Sequence, residues 1–491
     1  MQGKEQKIIH YDKIAPHRDR WRQKNRYYYR KQEELLTFLF TPKATLLEIG
    51  CSTGELLYRL QPSRGVGIDI SPAMVNLAQQ RFPAERFPHL DFRVDDAEQL
   101  EIREIFDYVL LADTLGDFTD IWTAFRNLHQ VTGPHSRVII TYFNSLWEPF
   151  LKLGERLGVK MPQPYQNWLA PADLVNLLTI NGFEVISQGN HLLLPKYFPM
   201  VAWLANSLLA KLPGLRKCCL TTHLVARPCL PREQVLPEHS VSVIVPCRNE
   251  KGNIRAAVAR IPQMGSHTEI IFVDGNSNDG TVAEIEAVID ENRDRLDIKL
   301  IHQVPPDSDD GNSHGKMLKL GKGDAVRKGF AAAEGEILMI LDADLTVPPE
   351  DLPKFYAALR EGHGEFINGT RLVYPMEKEA MRFLNKLANK FFSQLFSWLL
   401  NQRIKDTLCG TKVLFKRDYE KIAANRDYFG DFDPFGDFDL LFGAAKQNLK
   451  IVEIPIRYRE RIYGEIKIER FRHGLLLLKM SWLAFTKFKL R

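Results

Sequence analysis

Residues 337–341 are five apolar side chains in succession, running directly into Asp342 and Asp344 before Pro348 and Pro349 end the segment. A short apolar run bounded by turn-forming residues fits a strand buried on both faces of a parallel sheet. The two aspartates then fall at the carboxyl edge, where open α/β sheets bind ligands. Two carboxylates at this spacing offer hard oxygen ligands to Mg2+ or Mn2+, ions that can also bridge to substrate phosphates. An isolated Asp-x-Asp is more often a solvated turn, so the flanking segments decide.

At 491 residues the chain can hold two or three domains. Pro228, Pro231 and Pro237 mark a linker, and alternating strand and helix patterns open on each side of it. The expected organisation is a basic helical extension at 1–34, a first α/β domain at 35–228, a linker at 229–240 and a second α/β domain at 241–491. The net charge of +5 is too small to imply a nucleic-acid partner. It is unevenly placed: residues 457–491 hold ten Lys or Arg against three Glu. Residues 1–34 hold ten against five acids, beside Tyr27, Tyr28 and Tyr29. That first stretch reads as a solvated helix packed on the next domain, or as a lid over a cofactor site. The six cysteines show no paired metal spacing, so a reduced cytoplasmic setting is expected. The N-terminus lacks the apolar core of a leader, and no 18-residue run is free of charge, so no transmembrane helix is expected.

In the first half, an apolar strand around Glu48 leads into Gly50, Ser52, Gly54 and a helix start. Glycines let the backbone approach a ligand closely and leave helix N–H groups facing it. A second strand ends in Asp69, suited to accept from both ribose hydroxyls. Asp96 and Ala97 follow a third strand, and a fourth ends at Asp113. In this order the segments resemble a class I S-adenosylmethionine-dependent methyltransferase over residues 35–228. The resemblance implies a Rossmann-like fold and S-adenosylmethionine as cofactor. It implies that Glu48, Gly50 and Gly54 shape the methionine-side loop, that Asp69 holds the ribose, and that Asp96 with Ala97 lies near the adenine. Ser52 stands where the family usually has a glycine. Asp113, His129, Tyr142 and Trp147 are candidate pocket residues, each more simply read as structural.

In the second half, an apolar strand enters Pro246 and a polar turn with Glu250, and another ends at Asp274. Thr281 is a candidate helix cap, and residues 321–324 read as a flexible basic loop carrying Lys322. These ends join Asp342 and Asp344 on one edge, an arrangement that fits a nucleotide with a metal-bound diphosphate. The order of motifs over 241–473 resembles an inverting family 2 glycosyltransferase of the GT-A fold. By that resemblance Pro246, Glu250 and Asp274 hold base and ribose, and Asp342 and Asp344 bind metal and diphosphate. Gly275 replaces the second acid of the family's usual pair. The segments around Arg371, 405–412 and 454–467 are similar to the dolichol-phosphate-mannose-synthase-like branch. There, basic residues at the positions of Arg371, Arg461 and Lys467 meet phosphates. The acids 431–439 precede an apolar helix, and the resemblance makes Asp437, then Asp439, the candidate catalytic base. Clustered acids at a helix start are also simply favourable dipole partners.

Three apolar stretches remain. Residues 192–215 are interrupted by Lys196, Asn206 and Lys211, and read as a partly buried helix, or else as a contact for a lipid or lipid-linked acceptor. Residues 383–400 place apolar side chains at 384, 387, 391, 395 and 398, expected to face the core. Residues 471–491 form a basic amphipathic tail that either packs on the domain or anchors, through Trp482, Leu483 and Phe485, to anionic lipid.

Together these readings give a two-domain α/β chain: a bifunctional enzyme transferring a methyl group from S-adenosylmethionine and a sugar from a nucleotide-diphospho-sugar. The expected sugar acceptor is a polyprenyl phosphate or glycan of cell-surface glycan synthesis. The expected setting is cytoplasmic, with peripheral contact at the inner membrane face. The alternative is one active glycosyltransferase beside a non-catalytic, S-adenosylmethionine-binding or scaffolding domain.

Overall fold

The computed structural model describes residues 2–164, 166–212, 214–229, 236–303, 321–371, 383–428, 438–456, 459, 461, 463 and 470–490. Contacts gather the chain into two compact units, Met1–Leu230 and Pro231–Phe488.

The strands of the first unit are β1 (Thr45–Ile49), β2 (Arg64–Asp69), β3 (Leu90–Val94), β4 (Phe106–Ala112), β5 (Thr132–Phe143), β6 (Phe183–His191) and β7 (Thr221–Pro228). They form one sheet in the order β3-β2-β1-β4-β5-β7-β6. The strands from β3 to β5 are parallel, and β7 runs antiparallel to both β5 and β6. Apolar runs make these strands because each is buried on both faces. Leu47 and Ile49 enter one core layer with Phe106, Phe125 and Phe183, while Leu46 enters the other with Leu36, Leu57 and Ala78. Parallel neighbours all end at one edge, so Gly50, Asp69 and Asp113 emerge there together.

The strands of the second unit are β8 (Val241–Cys247), β9 (Thr268–Asp274), β10 (Asp297–His302), β11 (Ile337–Ile340), β12 (Phe366–Thr370), β13 (Lys412–Phe415) and β14 (Ile451–Pro455). Their order is β10-β9-β8-β11-β13-β12-β14. The first four are parallel, β13 is antiparallel to β11 and β12, and β12 pairs with β14 in parallel. Alternation again fills two layers: Ile337, Met339 and Leu341 lie in one, Leu338 and Ile340 in the other.

Several local expectations are corrected. Lys322 begins a helix, Lys322–Ala332, rather than lying in a loop; Gly323 is buried in its first turn. Thr281 is the first helical residue, with Gly280 at φ +89° in the capping position. Its hydroxyl instead accepts from the Glu250 N–H and donates to Asp279. In the helix Phe383–Leu400, Leu395 and Trp398 pack partly buried on the core as expected, but Phe391 faces outward. The buried positions are Phe392, Phe396, Leu399 and Leu400; the side chains at 384 and 387 lie outside those described. That helix is apolar on most sides, so periodicity alone did not select the face. The last helix, Arg470–Phe488, packs Met480, Ala484, Phe485 and Phe488 on the second core, and only Leu478 and Trp482 of its large apolar side chains described are exposed. Phe485 and Leu483 therefore belong to the packing of this unit rather than to an anchor. Residues 201–211 and 215–218 form short irregular helical turns rather than one helix. All six cysteines are free thiols.

Candidate active sites at two sheet edges

The carboxyl edge of the first sheet opens on a cavity of about 330 Å³, within the usual range for small-molecule sites of about 300–1,000 Å³. Glu48, Gly50, Ser52, Asp69, Asp96 and Ala97 line it. Gly50 has φ +78°, and a Cβ there would fall 2.1 Å from Thr114 Cγ2, so no other residue fits the turn. Gly54 serves the turn without lining the cavity; a Cβ on it would meet the Phe92 ring at 2.6 Å. Asp69 accepts from the Ser52 N–H at 2.9 Å through Oδ2 and from the Ser71 N–H at 2.9 Å through Oδ1. Burial pushes its carboxyl up to about 6, despite these hydrogen bonds. Glu48 is buried, and burial pushes it up to about 8, only partly offset by the Arg22 charge. Its Oε2 has no hydrogen-bond partner among the described residues, leaving a polar atom to be met by a ligand.

The stretch 1–34 supplies much of the remaining wall, in line with the lid reading of its two alternatives. Lys4, Lys7, Tyr11, Arg18 and Arg22 all line the cavity. Lys4 pairs with Asp96, and with Glu98 at 2.9 Å. Asp12 Oδ1 accepts from Ser71 Oγ at 2.5 Å and from the Ala73 N–H at 3.1 Å, tying this stretch to the helix Pro72–Arg81. Arg18 donates Nε–H to Ser52 Oγ at 3.0 Å and an Nη1 proton to Tyr29 Oη at 2.9 Å. Ser52 itself has φ +51°, the left-handed conformation that a glycine would adopt without strain. Of the pocket candidates, Asp113 and Trp147 line the cavity. Asp113 accepts from Tyr28, from Gln32 Nε2 at 2.6 Å and from Thr141 Oγ1 at 2.9 Å, so it holds the helix Arg26–Leu39 in place. His129 instead binds Asn181 O at 2.6 Å and stacks on Phe183, a structural role. Tyr142 borders a small adjoining pocket.

In the second unit, register brings the predicted residues to one edge: Cys247 at the end of β8 is level with Asp274 at the end of β9, and Ile340 with Ile244. Pro246 is half-buried there. Asp274 is buried and accepts from the Asn276 N–H at 3.0 Å, and Glu250 is buried and accepts from Asn253 Nδ2 at 2.8 Å. Lys322 Nζ lies 2.5 Å from Asp342 Oδ1. Burial alone would raise the Asp342 carboxyl, but Lys322, Lys412 and Arg371 outweigh it and hold it below the usual range. Asp344 accepts from Arg461 Nη2 at 2.6 Å through one oxygen and from Thr346 Oγ1 at 2.8 Å through the other. A Cβ on Gly410 would fall 2.1 Å from Asp342 Oδ2 and 2.5 Å from Lys322 Nζ. Arg371 forms a bidentate pair with buried Asp406, at 2.7 and 2.8 Å.

Gly410 and Lys412, in the segment 405–412, complete this site, although the sequence alone assigns neither a role. Lys412 is fully buried and donates to Cys409 O at 2.6 Å. Asp439 accepts from Arg426 Nε at 2.7 Å, so its carboxylate is engaged in an ion pair. Asp437 and Lys467 lie outside the described residues. Among the described residues no cluster of three acidic, His or Cys side chains forms a metal cage. Asp342 and Asp344 nonetheless suit Mg2+ or Mn2+, which commonly take one or two carboxylates and complete their shell with substrate phosphates and water.

Residues 40–169 match the methyltransferase domain family, and residues 242–305 and 316–422 match glycosyl transferase family 2. The chain is 37% identical over 135 residues to the dolichol-phosphate mannosyltransferase of Saccharomyces cerevisiae, a match covering 26% of this chain and 44% of that protein. It is 29% identical over 250 residues to the dolichol-phosphate mannosyltransferase of Pyrococcus furiosus, covering 49% of this chain and 64% of that one. The chain thus spans between about two fifths and two thirds of the length of these relatives. A SAM-dependent methyltransferase from Thermotoga maritima aligns with 14% identity and a TM-score of 0.35, over 45% of this chain and 98% of that one. The chain therefore joins a methyltransferase domain in its first unit to a glycosyl transferase family 2 domain in its second.

Proposed function

We propose that the chain is a bifunctional transferase. The first unit transfers a methyl group from S-adenosylmethionine, and the second transfers a sugar, with inversion, from a nucleotide-diphospho-sugar to a polyprenyl phosphate or glycan. The observation that carries the second activity is the pair Asp342 and Asp344 among Lys322, Arg371, Lys412 and Arg461. This charge pattern suits a ligand with several anionic oxygens.

A divalent cation held by Asp342 and Asp344 would neutralise charge on the departing nucleoside diphosphate. Lys322 and Arg461 bring positive charge to the same carboxylates and stabilise the leaving group as its bond to the anomeric carbon breaks. Lys412, buried and fixed on the Cys409 carbonyl, adds charge without needing to move. Arg371 is oriented by Asp406. Asp274 and Glu250 are the candidates for ribose and base. A phosphate acceptor is already ionised near neutral pH and needs no base, which suits an edge where Asp439 is engaged by Arg426. If the acceptor is a hydroxyl, Asp437 is the candidate to take its proton.

In the first unit, S-adenosylmethionine supplies an activated methyl group. Of the residues lining the cavity, Asp69 would hold the ribose, Asp96 and Ala97 would lie near the adenine, and Glu48 would shape the methionine side. Tyr11, Arg18 and Arg22 of the N-terminal helices line the same cavity and would help to exclude water around the bound cofactor.

No described helix is long and apolar enough to cross a membrane. Contact with lipid acceptors would then be peripheral, at the inner membrane face. The test is mass spectrometry of products formed by the full chain from a panel of nucleotide sugars, a polyprenyl phosphate and isotopically labelled S-adenosylmethionine. Sugar-bearing and label-bearing products are expected. A folded protein that forms the first but never the second reduces the N-terminal domain to a binding or scaffolding module.

A further inference from the structure

The first unit carries an apolar surface arranged opposite to an ordinary amphipathic packing face. Between residues 200 and 212 the small and polar side chains point inward: Ala202, Ala205, Asn206 and Ala210 are buried. The large apolar ones point outward, with Met200 85% exposed, Trp203 62% and Leu204 47%. The helix Glu148–Arg156, which has no fully buried residue, and the residues flanking it also turn large apolar side chains outward. Leu146, Phe150, Leu153 and Leu157, spaced for one helical stripe, are all more than half exposed. The turn before this helix is tied to the chain that follows residues 200–212: Trp147 Nε1 donates to Cys218 O at 2.8 Å and Asn144 Nδ2 to Lys217 O at 2.8 Å, while the next residue, Cys219, reaches Ala210 O through Sγ at 3.8 Å. Soluble surfaces rarely collect large apolar side chains in this way without a partner.

Charge identifies the partner. Residues 192–217 contain four Lys or Arg and no acid, and residues 20–31 contain six and no acid. The second stretch meets both apolar segments: Lys24 Nζ donates to Gly158 O at 2.5 Å, and Lys196 Nζ to Asn25 Oδ1 at 2.9 Å. Arg22, Arg26, Arg30, Arg59 and Arg81 line a surface groove with Tyr197, outnumbering its three acids, Asp19, Glu33 and Glu55. An apolar face bordered by cations matches an anionic phospholipid bilayer, which takes aromatic and aliphatic side chains at its headgroup boundary and attracts Lys and Arg above it. Phe150, Pro195 and Lys196 belong both to this region and to the wall of the cavity that holds Asp69.

We propose that this face docks the first unit on an anionic phospholipid bilayer, so that the methyl acceptor is met at the membrane surface. Docking stands without the methyl-transfer reading of the cavity, whereas delivery of the acceptor rests on it. The two are tested apart: docking by vesicles, and the cavity by calorimetry of S-adenosylmethionine in their absence.

The full chain is sedimented with vesicles of phosphatidylcholine and phosphatidylglycerol at low salt. Binding is expected, and Leu153→Ser with Trp203→Ser should weaken it at least tenfold while calorimetry of S-adenosylmethionine stays unchanged. Arg216→Glu with Lys217→Glu should weaken it too, whereas Leu478→Ser with Trp482→Ser in the last helix should leave most of it. Absence of vesicle binding by the folded chain overturns the proposal. So does binding that survives the Leu153/Trp203 pair and is lost with the Leu478/Trp482 pair.

Discussion

Arg18 reaches back from the N-terminal helices to place its Nε–H 3.0 Å from the hydroxyl of Ser52, at the position in the glycine turn where a third glycine is expected. The serine holds φ +51° at some conformational cost and gains a tether to the cavity wall opposite. Arg18→Ala should therefore weaken S-adenosylmethionine binding by roughly tenfold, the loss of one charge-assisted hydrogen bond. Ser52→Gly should cost less, because the relaxed backbone offsets part of the lost contact. Calorimetry on both variants checks the order, and an unchanged affinity in Arg18→Ala would remove the tether from the binding site.

Asp69 gives the same cavity a pH dependence. Burial raises its carboxyl to about 6, so below that pH it protonates and one oxygen can no longer accept from ribose. Affinity should hold at neutral pH and fall by up to about tenfold per pH unit below 6. Asp69→Ala should bind weakly and lose that dependence. Titrations across the range distinguish this from general acid unfolding, which circular dichroism would report.

Glu48 makes a prediction about stability. Its folded value of about 8 lies above its ordinary 4.5, so between these values the folded protein keeps a proton that the unfolded chain has released. The contribution is complete below 4.5 and is lost as pH rises through 8, at about 1.4 kcal/mol per pH unit within the window. Glu48→Gln should remove it, so the variant gains on the parent protein as pH rises. Urea denaturation of both proteins near pH 6 and near pH 8 measures this; a pH-independent difference between them would contradict it.

At the second edge, Gly410→Ala places a methyl group 2.1 Å from Asp342 Oδ2. Nucleotide-sugar binding should drop at least tenfold. Asp344→Asn should abolish glycosyl transfer, since it removes a carboxylate oxygen and the partner of Arg461. Both variants should keep S-adenosylmethionine binding, because that cavity is built within the first unit. Loss of both activities in a folded variant would mean that the two sites depend on each other.

The strands were legible because burial on both faces demands unbroken apolar runs; β8 and β11 could scarcely be read otherwise. Strand ends gave Asp69, Asp274, Asp342 and Asp344, since chemistry at an open sheet collects where strands stop. The N-terminal wall was legible only as one of two readings of 1–34, a lid over a cofactor site, and its contacts were not: Arg18 meets Ser52 and Lys4 meets Asp96 across long stretches of chain, and no local period encodes such contacts. Lys322 reads as a loop residue because two glycines flank it, yet glycine is tolerated in a first helical turn, and the helix begins there. The stretch 192–215 reads as a partly buried helix or as a lipid contact; what its apolar content could not show is which side chains are buried, and these are Ala202, Ala205, Asn206 and Ala210 rather than the large ones.

β13 has a consequence for how the second site is assembled. It has only four residues, held against β11 by Met339↔Val413 and against β12 by Asn368↔Lys412. A slip of one residue would turn Lys412 out of the core and move Gly410 by roughly 3.4 Å along the strand. Cys409 or Thr411 would then bring a side chain to the spot beside Asp342 where not even a methyl group fits. A misregistered sheet can be compact, helical and soluble, yet it cannot keep Asp342 beside Lys322. Recovery of donor binding after refolding is therefore a gauge of correct strand alignment, which spectroscopic measures of secondary structure would miss.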